Sequence, residues 1–249
     1  MERQYVGIIE EEGREFKMRN EKGFTLVELL VAMAVGSIVL AGIAMAYRGQ
    51  QRSALVQDQV SAMQQNLRAS MQLMEREIRM AGYDPAGSAG SGIQTANATS
   101  IRLTLDIHDG ADNDSDGIVD EFDEEGNGDG DTNDINEDIT YLRLDPDGDG
   151  VFDLFRRDAA VAGDQPIAEN IDALDFVYLD EDGNVTATLT EMRSVQITVV
   201  ARTDRRDRGY TDTAIYTNQQ GTTVFGPGGD NFRRKRLTAE VNCRNLGLL

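Results

Sequence analysis

Residues 29–47 read LLVAMAVGSIVLAGIAMAY, 19 consecutive positions without a charge, and a lone carboxylate at Glu28 introduces them. At about 1.5 Å per residue, this run as a helix approaches the roughly 30 Å of a bilayer's hydrocarbon layer. It is longer than the apolar region of a cleaved secretory signal. A plain anchor would not carry an acid near its start, because a carboxylate beside hydrocarbon must find a partner or a proton. The run therefore predicts a retained membrane segment, about 24–47, whose leading end has a specific role.

Beyond Tyr47 the charges return but the apolar rhythm persists. Val56, Val60, Met63, Leu67, Met71, Met74 and Ile78 are spaced by three or four residues, one stripe of a helix. No proline precedes Pro85, so a single helix from about Phe24 to about Met80 is expected, with Gly82 as its C-terminal cap. Its first half must face lipid or other subunits, and its Met-rich second half asks for a sheet to cover it.

The junction before the apolar run, Lys22-Gly23-Phe24-Thr25-Leu26-Val27-Glu28, resembles the N-terminal motif of type IV prepilins and of type II secretion pseudopilins. The resemblance implies cleavage after Gly23 by a membrane aspartyl peptidase, N-methylation of Phe24, and retention of Glu28 for assembly. Physical chemistry agrees at each position. Gly23 costs a helix roughly 1 kcal/mol relative to Ala and so marks accessible backbone. Arg19 and Lys22 sit where the positive-inside tendency wants the cytoplasmic side. The best partner foreseen for Glu28 is the α-amino group that cleavage creates on Phe24, of the same or a neighbouring subunit. Starting at Met18 would give the short charged leader MRNEKG, so translation is expected to begin there rather than at Met1.

A second stretch, Arg76-Glu77-Ile78-Arg79-Met80-Ala81-Gly82-Tyr83, resembles the end of the long helix in PilW-type minor pilins. Some relatives carry a cysteine shortly after it, where this chain has Asp84-Pro85-Ala86-Gly87.

After a Gly/Ser/Ala linker at 86–92 the period changes from 3.6 to 2. Strand candidates lie at 100–107, 138–144, 151–157, 173–180, 191–202 and 235–243, with turns such as Asp182-Gly183-Asn184 between them. The expected fold class is α+β, the type IV pilin fold: a long N-terminal helix, transmembrane in its first half, packed on an antiparallel sheet, with an acidic loop insert. The expected parts are a leader at 1–23, the helix at 24–83, and a β-rich globular domain at 84–249 whose insert spans 106–153.

That insert holds 19 acidic residues against Arg143 alone, a net -18 of the chain's -20. Within it, Asp112, Asp114, Asp116, Asp120 and Asp123 take loop positions 1, 3, 5, 9 and 12, with Gly117 at 6 and the Ile118 carbonyl at 7. Hard oxygen ligands at this spacing fit calcium. Position 12 is Asp rather than Glu, so the loop resembles isolated DxDxDG calcium loops more than an EF-hand. A second run, Asp145, Asp147, Asp149, the Val151 carbonyl and Asp153, repeats the first nine positions, but Arg156 stands at the twelfth. The acidic stretch 127–134 between them lacks the positioned glycine and either adds ligands or is a solvated loop.

The acidity argues against a nucleic-acid partner. A single histidine, His108, and no GxSxG signature leave nothing to carry enzymatic chemistry or a small-molecule substrate site. The lone Cys243 is expected to be buried, Arg233–Arg236 to form a solvated or intersubunit ion-pair face, and the arginines at 202–208 an exposed, self-neutralising loop. The resemblance implies a minor type IV pilin, anchored by a single span in the inner membrane before joining a surface pilus. Its globular domain would be periplasmic or extracellular, and its partners the prepilin peptidase and other minor and major pilins. A J-type pseudopilin and a calcium-dependent pilus-tip adhesin are the alternatives.

Overall fold

The computed structural model describes residues 23–85, 87–107 and 130–247. Residues 1–22 of the leader, Met18 among them, His108 and the loop from Asp112 to Asp123 lie outside the described residues.

One α-helix, α1, runs from Leu26 to Met80, 55 residues, about 82 Å at the standard rise. It opens with a reciprocal cap. The Thr25 amide and hydroxyl both donate to the Glu28 carboxylate at 2.9 Å, and the Glu28 amide donates back to the Thr25 hydroxyl at 3.2 Å. This is a capping box, which satisfies amides that the first turn otherwise leaves open. The helix ends as expected at Gly82, whose φ of +81° is left-handed. There its amide donates to the Thr104 carbonyl at 3.0 Å. A Cβ at this glycine would also stand 2.7 Å from Leu246 Cδ2.

The chain divides into two compact units, one reaching Arg52 and one from Ser53 to Leu249. In the first, the large apolar side chains from Phe24 to Tyr47 are each at least 54% exposed. Among the described residues, the second combines the later half of α1 with ten strands: β1 (Ile93–Ala96), β2 (Ser100–Thr104), β3 (Asp138–Leu144), β4 (Asp153–Asp158), β5 (Gln165–Ala168), β6 (Ile171–Leu179), β7 (Ser194–Arg202), β8 (Tyr216–Thr217), β9 (Thr223–Phe225) and β10 (Arg234–Asn242).

All six expected strands are present, and all pairings are antiparallel. The α+β arrangement of a long helix on an antiparallel sheet is as expected, and the described strands are divided among three sheets. The strands form a five-stranded meander, β1-β2-β3-β4-β5, a three-stranded sheet, β10-β7-β6, and the β8-β9 hairpin. Between β5 and β6 the chain turns at Asn170 with φ +59°, which ends one sheet and starts the other. β1 and β5 were not foreseen because each has only four residues and polar positions, and Pro166 confines β5 to an edge.

The two larger sheets and the helix share one core. Met63, Leu67, Met71, Met74 and Ile78 pack with Ile101, Leu103, Ile139 and Tyr141 of the meander and with Leu174, Phe176, Val195, Ile197 and Val199 of the three-stranded sheet. The other face of this sheet is also covered: Asn218 Nδ2 donates to Asp175 Oδ2 of β6 and Gln220 Nε2 to Gln196 Oε1 of β7, both at 2.9 Å. Cys243 is buried, and burial pushes its thiol up to about 12, so it is an inert packing residue.

Two charged clusters tie these layers together. Tyr141 and Arg156 are cross-strand neighbours in β3 and β4. Both reach Glu77 of α1: the Tyr141 hydroxyl donates to one carboxylate oxygen, and Arg156 Nε lies 3.2 Å from each. Arg156 also donates to Asn136 Oδ1 at 2.8 Å and to Asp158 Oδ2 at 3.4 Å. The second cluster corrects the expectation for Arg233–Arg236. The Arg234 side chain is 1% exposed and pairs with Asp172, Asp212 and Asp230 at 2.6–3.0 Å, while Arg233 pairs with Asp207 at 2.8 Å. Only Lys235 and Arg236 of that run are exposed. The expected exposed loop survives at Arg205 and Asp204, an exposed pair at 3.5 Å. Arg202 instead packs over Phe232, 4.5 Å from the ring centre.

Candidate functional site

The residues expected to serve processing and assembly, Gly23, Phe24 and Glu28, sit together at the start of α1. Gly23 lies outside the helix and is exposed, with no atom within 4 Å of the place its Cβ would take. Phe24 is 89% exposed. The geometry suits a protease, which needs extended backbone free of packing on either side of the bond it cuts. Glu28 lies four residues after Phe24 on the first turn, its carboxylate held by Thr25. The partner foreseen for it, the α-amino group of Phe24, arises only when the Gly23–Phe24 bond is cut. In the uncut chain the same carboxylate stabilises the helix start, a role that spacing alone would have shown as the T-x-x-E pattern of Thr25 and Glu28.

Of the acidic loops, the one from Asp145 to Asp153 is described. It is the connection from β3 to β4, and its carboxylates curl inward. Asp145 accepts from the Gly148 amide at 2.8 Å and the Gly150 amide at 3.0 Å. Asp149 accepts from the Val151 amide at 2.7 Å. Gly148 and Gly150 have φ of +74° and +81°, which lets the loop turn twice within six residues. Carboxylate oxygens of Asp145, Asp147 and Asp149 come within 4.8 Å of one another, close enough for one hard cation to bridge them. Asp153 is placed differently, because it opens β4 and accepts from the Asn170 amide at 2.8 Å. The twelfth position could never have closed this loop, since Arg156 points into the core at Glu77.

Tertiary structure adds two acids that no local spacing announces. Glu169 and Asp204 line the same open cavity of about 300 Å³ as Asp147, Asp149, Val151 and Asp153, with Arg202 and Phe232 opposite. A further group stands where the insert rejoins the meander. Asp131, Asp134 and Glu137 bring carboxylate oxygens within 4.8 Å of one another. Glu137 is fully buried. It accepts from the Ile107 amide at 2.8 Å and the Asp134 amide at 3.3 Å, joining the stretch after β2 to the stretch before β3. Burial drives its carboxyl up to about 7, opposed by these two amides and reinforced by Asp134 and Asp106.

Comparison with known proteins places these features. The family model described as the prokaryotic N-terminal methylation motif matches residues 18–44, and the one described as prepilin peptidase-dependent protein B matches residues 56–219. No curated protein matches the chain significantly. Among solved structures, a type IV-like pilin from Thermus thermophilus is similar at 13% identity and a TM-score of 0.46, over 74% of this chain and 97% of that one.

Proposed function

Because this chain belongs to the prepilin peptidase-dependent protein B family of type IV pilin-like proteins, we propose that it works as a minor type IV pilin, a structural subunit rather than an enzyme. The peptidase cuts after Gly23, Phe24 becomes the methylated terminus, and the span of about 24–47 holds the subunit in the inner membrane until it joins other minor and major pilins in a fibre. The globular part then lies on the periplasmic or outer side. The observation that carries this reading is the apolar first unit: from Phe24 to Tyr47 every large apolar side chain is at least 54% exposed. At about 25 cal/mol for each Å² of apolar surface, such a stretch does not stay in water and must be covered by lipid or by like helices. Mass spectrometry of sheared surface fibres tests it. A mature chain beginning with N-methylated Phe24 is expected, and an uncut, freely soluble product would overturn the reading.

We propose further that the loop from Asp145 to Asp153 binds calcium, supported by the convergence of Asp145, Asp147 and Asp149. Calorimetric titration of calcium into the chelator-treated, detergent-solubilised full chain is expected to give heat and a raised melting temperature. The paired change Asp147→Asn and Asp149→Asn should remove the contribution of this loop. No heat with the unaltered chain would sink the proposal.

A further inference from the structure

We propose that Glu77 is the residue that fixes the register of α1 on the sheets, a positioning device beyond the assembly role. The apolar stripe cannot do this alone. Slide the helix one heptad toward its C-terminal end, and Val56, Val60, Leu67 and Met71 arrive where Met63, Leu67, Met74 and Ile78 were. Four of the stripe's five buried apolar positions stay apolar, Gln64 replaces Met71, and Met63 enters the buried place of Ser70. Methionine at three of the five native positions makes the discrimination weaker still, because its flexible side chain fills gaps of many shapes. The slide in the other direction would draw Pro85 into the helix, which proline's missing amide forbids.

What the heptad slide cannot reproduce is the carboxylate. It would bring Ser70, seven residues before Glu77, opposite Tyr141 and Arg156. Ser70 is buried on the same side of the helix and donates to the Leu67 carbonyl of its own turn at 3.0 Å, so it makes no demand on the sheet. Glu77 does make one: its partners lie on two other strands, and the Arg156 side chain is 6% exposed with the Glu77 carboxylate as its α1 partner. A slipped helix leaves that buried guanidinium with Asp158 and Asn136 but without the carboxylate that its Nε contacts twice, and a buried charge that loses a partner is costly. The turn at Gly82 adds its own resistance, because the slide would bring Glu75 to a left-handed position whose Cβ would stand 2.7 Å from Leu246 Cδ2, but that resistance acts at the helix end and leaves the demand of Arg156 for a carboxylate to Glu77.

The test uses the full chain in detergent, with Cys243→Ala and spin labels on cysteines at Arg68 and Glu181, both exposed, and reads the distance between them by pulsed electron resonance. The unaltered network should give one distance. Replacing the network by apolar residues, Glu77→Leu with Tyr141→Phe and Arg156→Met, should leave a cooperatively melting protein with a second distance population, from chains whose helix has moved by about 10 Å along its axis, one heptad of rise. Exchanging the two helix positions, Ser70→Glu with Glu77→Ser, should move the whole population to the displaced distance. The native distance alone in either folded variant overturns the proposal, as does failure of both to fold, since the network would then be needed for folding rather than for register.

Discussion

Arg156 Nε donates to both oxygens of Glu77 at 3.2 Å, so a strand of the meander grips the long helix by a charge that neither element exposes. Removing one partner alone is therefore costly. Glu77→Ala should lower unfolding stability by about 3–5 kcal/mol, as stranded buried charges do, and denaturant melts of the detergent-solubilised chain will measure it. Glu77→Gln, which keeps an acceptor for Tyr141 and Arg156, should lose clearly less.

At the other end of α1, Glu28→Leu breaks the reciprocal cap with Thr25. The local cost is about 1 kcal/mol of helix stability, so the globular part should melt unchanged. Recovery of the variant in sheared fibres should nevertheless fall at least tenfold if Glu28 also serves assembly. Equal recovery of variant and unaltered subunit would confine Glu28 to the capping role.

Stability should also respond to pH through Glu137. Its carboxyl is raised from 4.5 to about 7 by burial, so between those values the folded chain holds a proton that the unfolded chain has released. The contribution is fully present below about pH 4.5 and is lost as pH rises through about 7. The shift corresponds to at most about 3 kcal/mol. In chelating buffer, a plot of stability against pH should fall across this window, and Glu137→Gln should flatten that part of the curve.

Arg234 is held by Asp172, Asp212 and Asp230 and lies over Phe225. Arg234→Met should leave three aspartates around an apolar side chain and cost about 3–5 kcal/mol. The effect should concentrate in the segment from Asp207 to Asp230. Hydrogen exchange there should speed up well before exchange in β7, whose amides are buried on both sides.

Local pattern was enough for the parts governed by short-range rules. An uncharged run of bilayer length after Gly23, a stripe at helical spacing and a glycine after Ala81 determine a helix, its ends and its two environments, because helix geometry repeats every few residues. Alternation likewise located the six principal strands. The tertiary structure alone decided which strands share a sheet, since a period of two marks a face but names no neighbour. It also decided that Glu77 faces Tyr141 and Arg156, that Arg234 sits among three aspartates, and that Glu169 and Asp204 stand beside the loop at Asp145. Each of these joins side chains far apart in the chain, and a buried charge is stable only where the fold delivers its opposite, which no local spacing records.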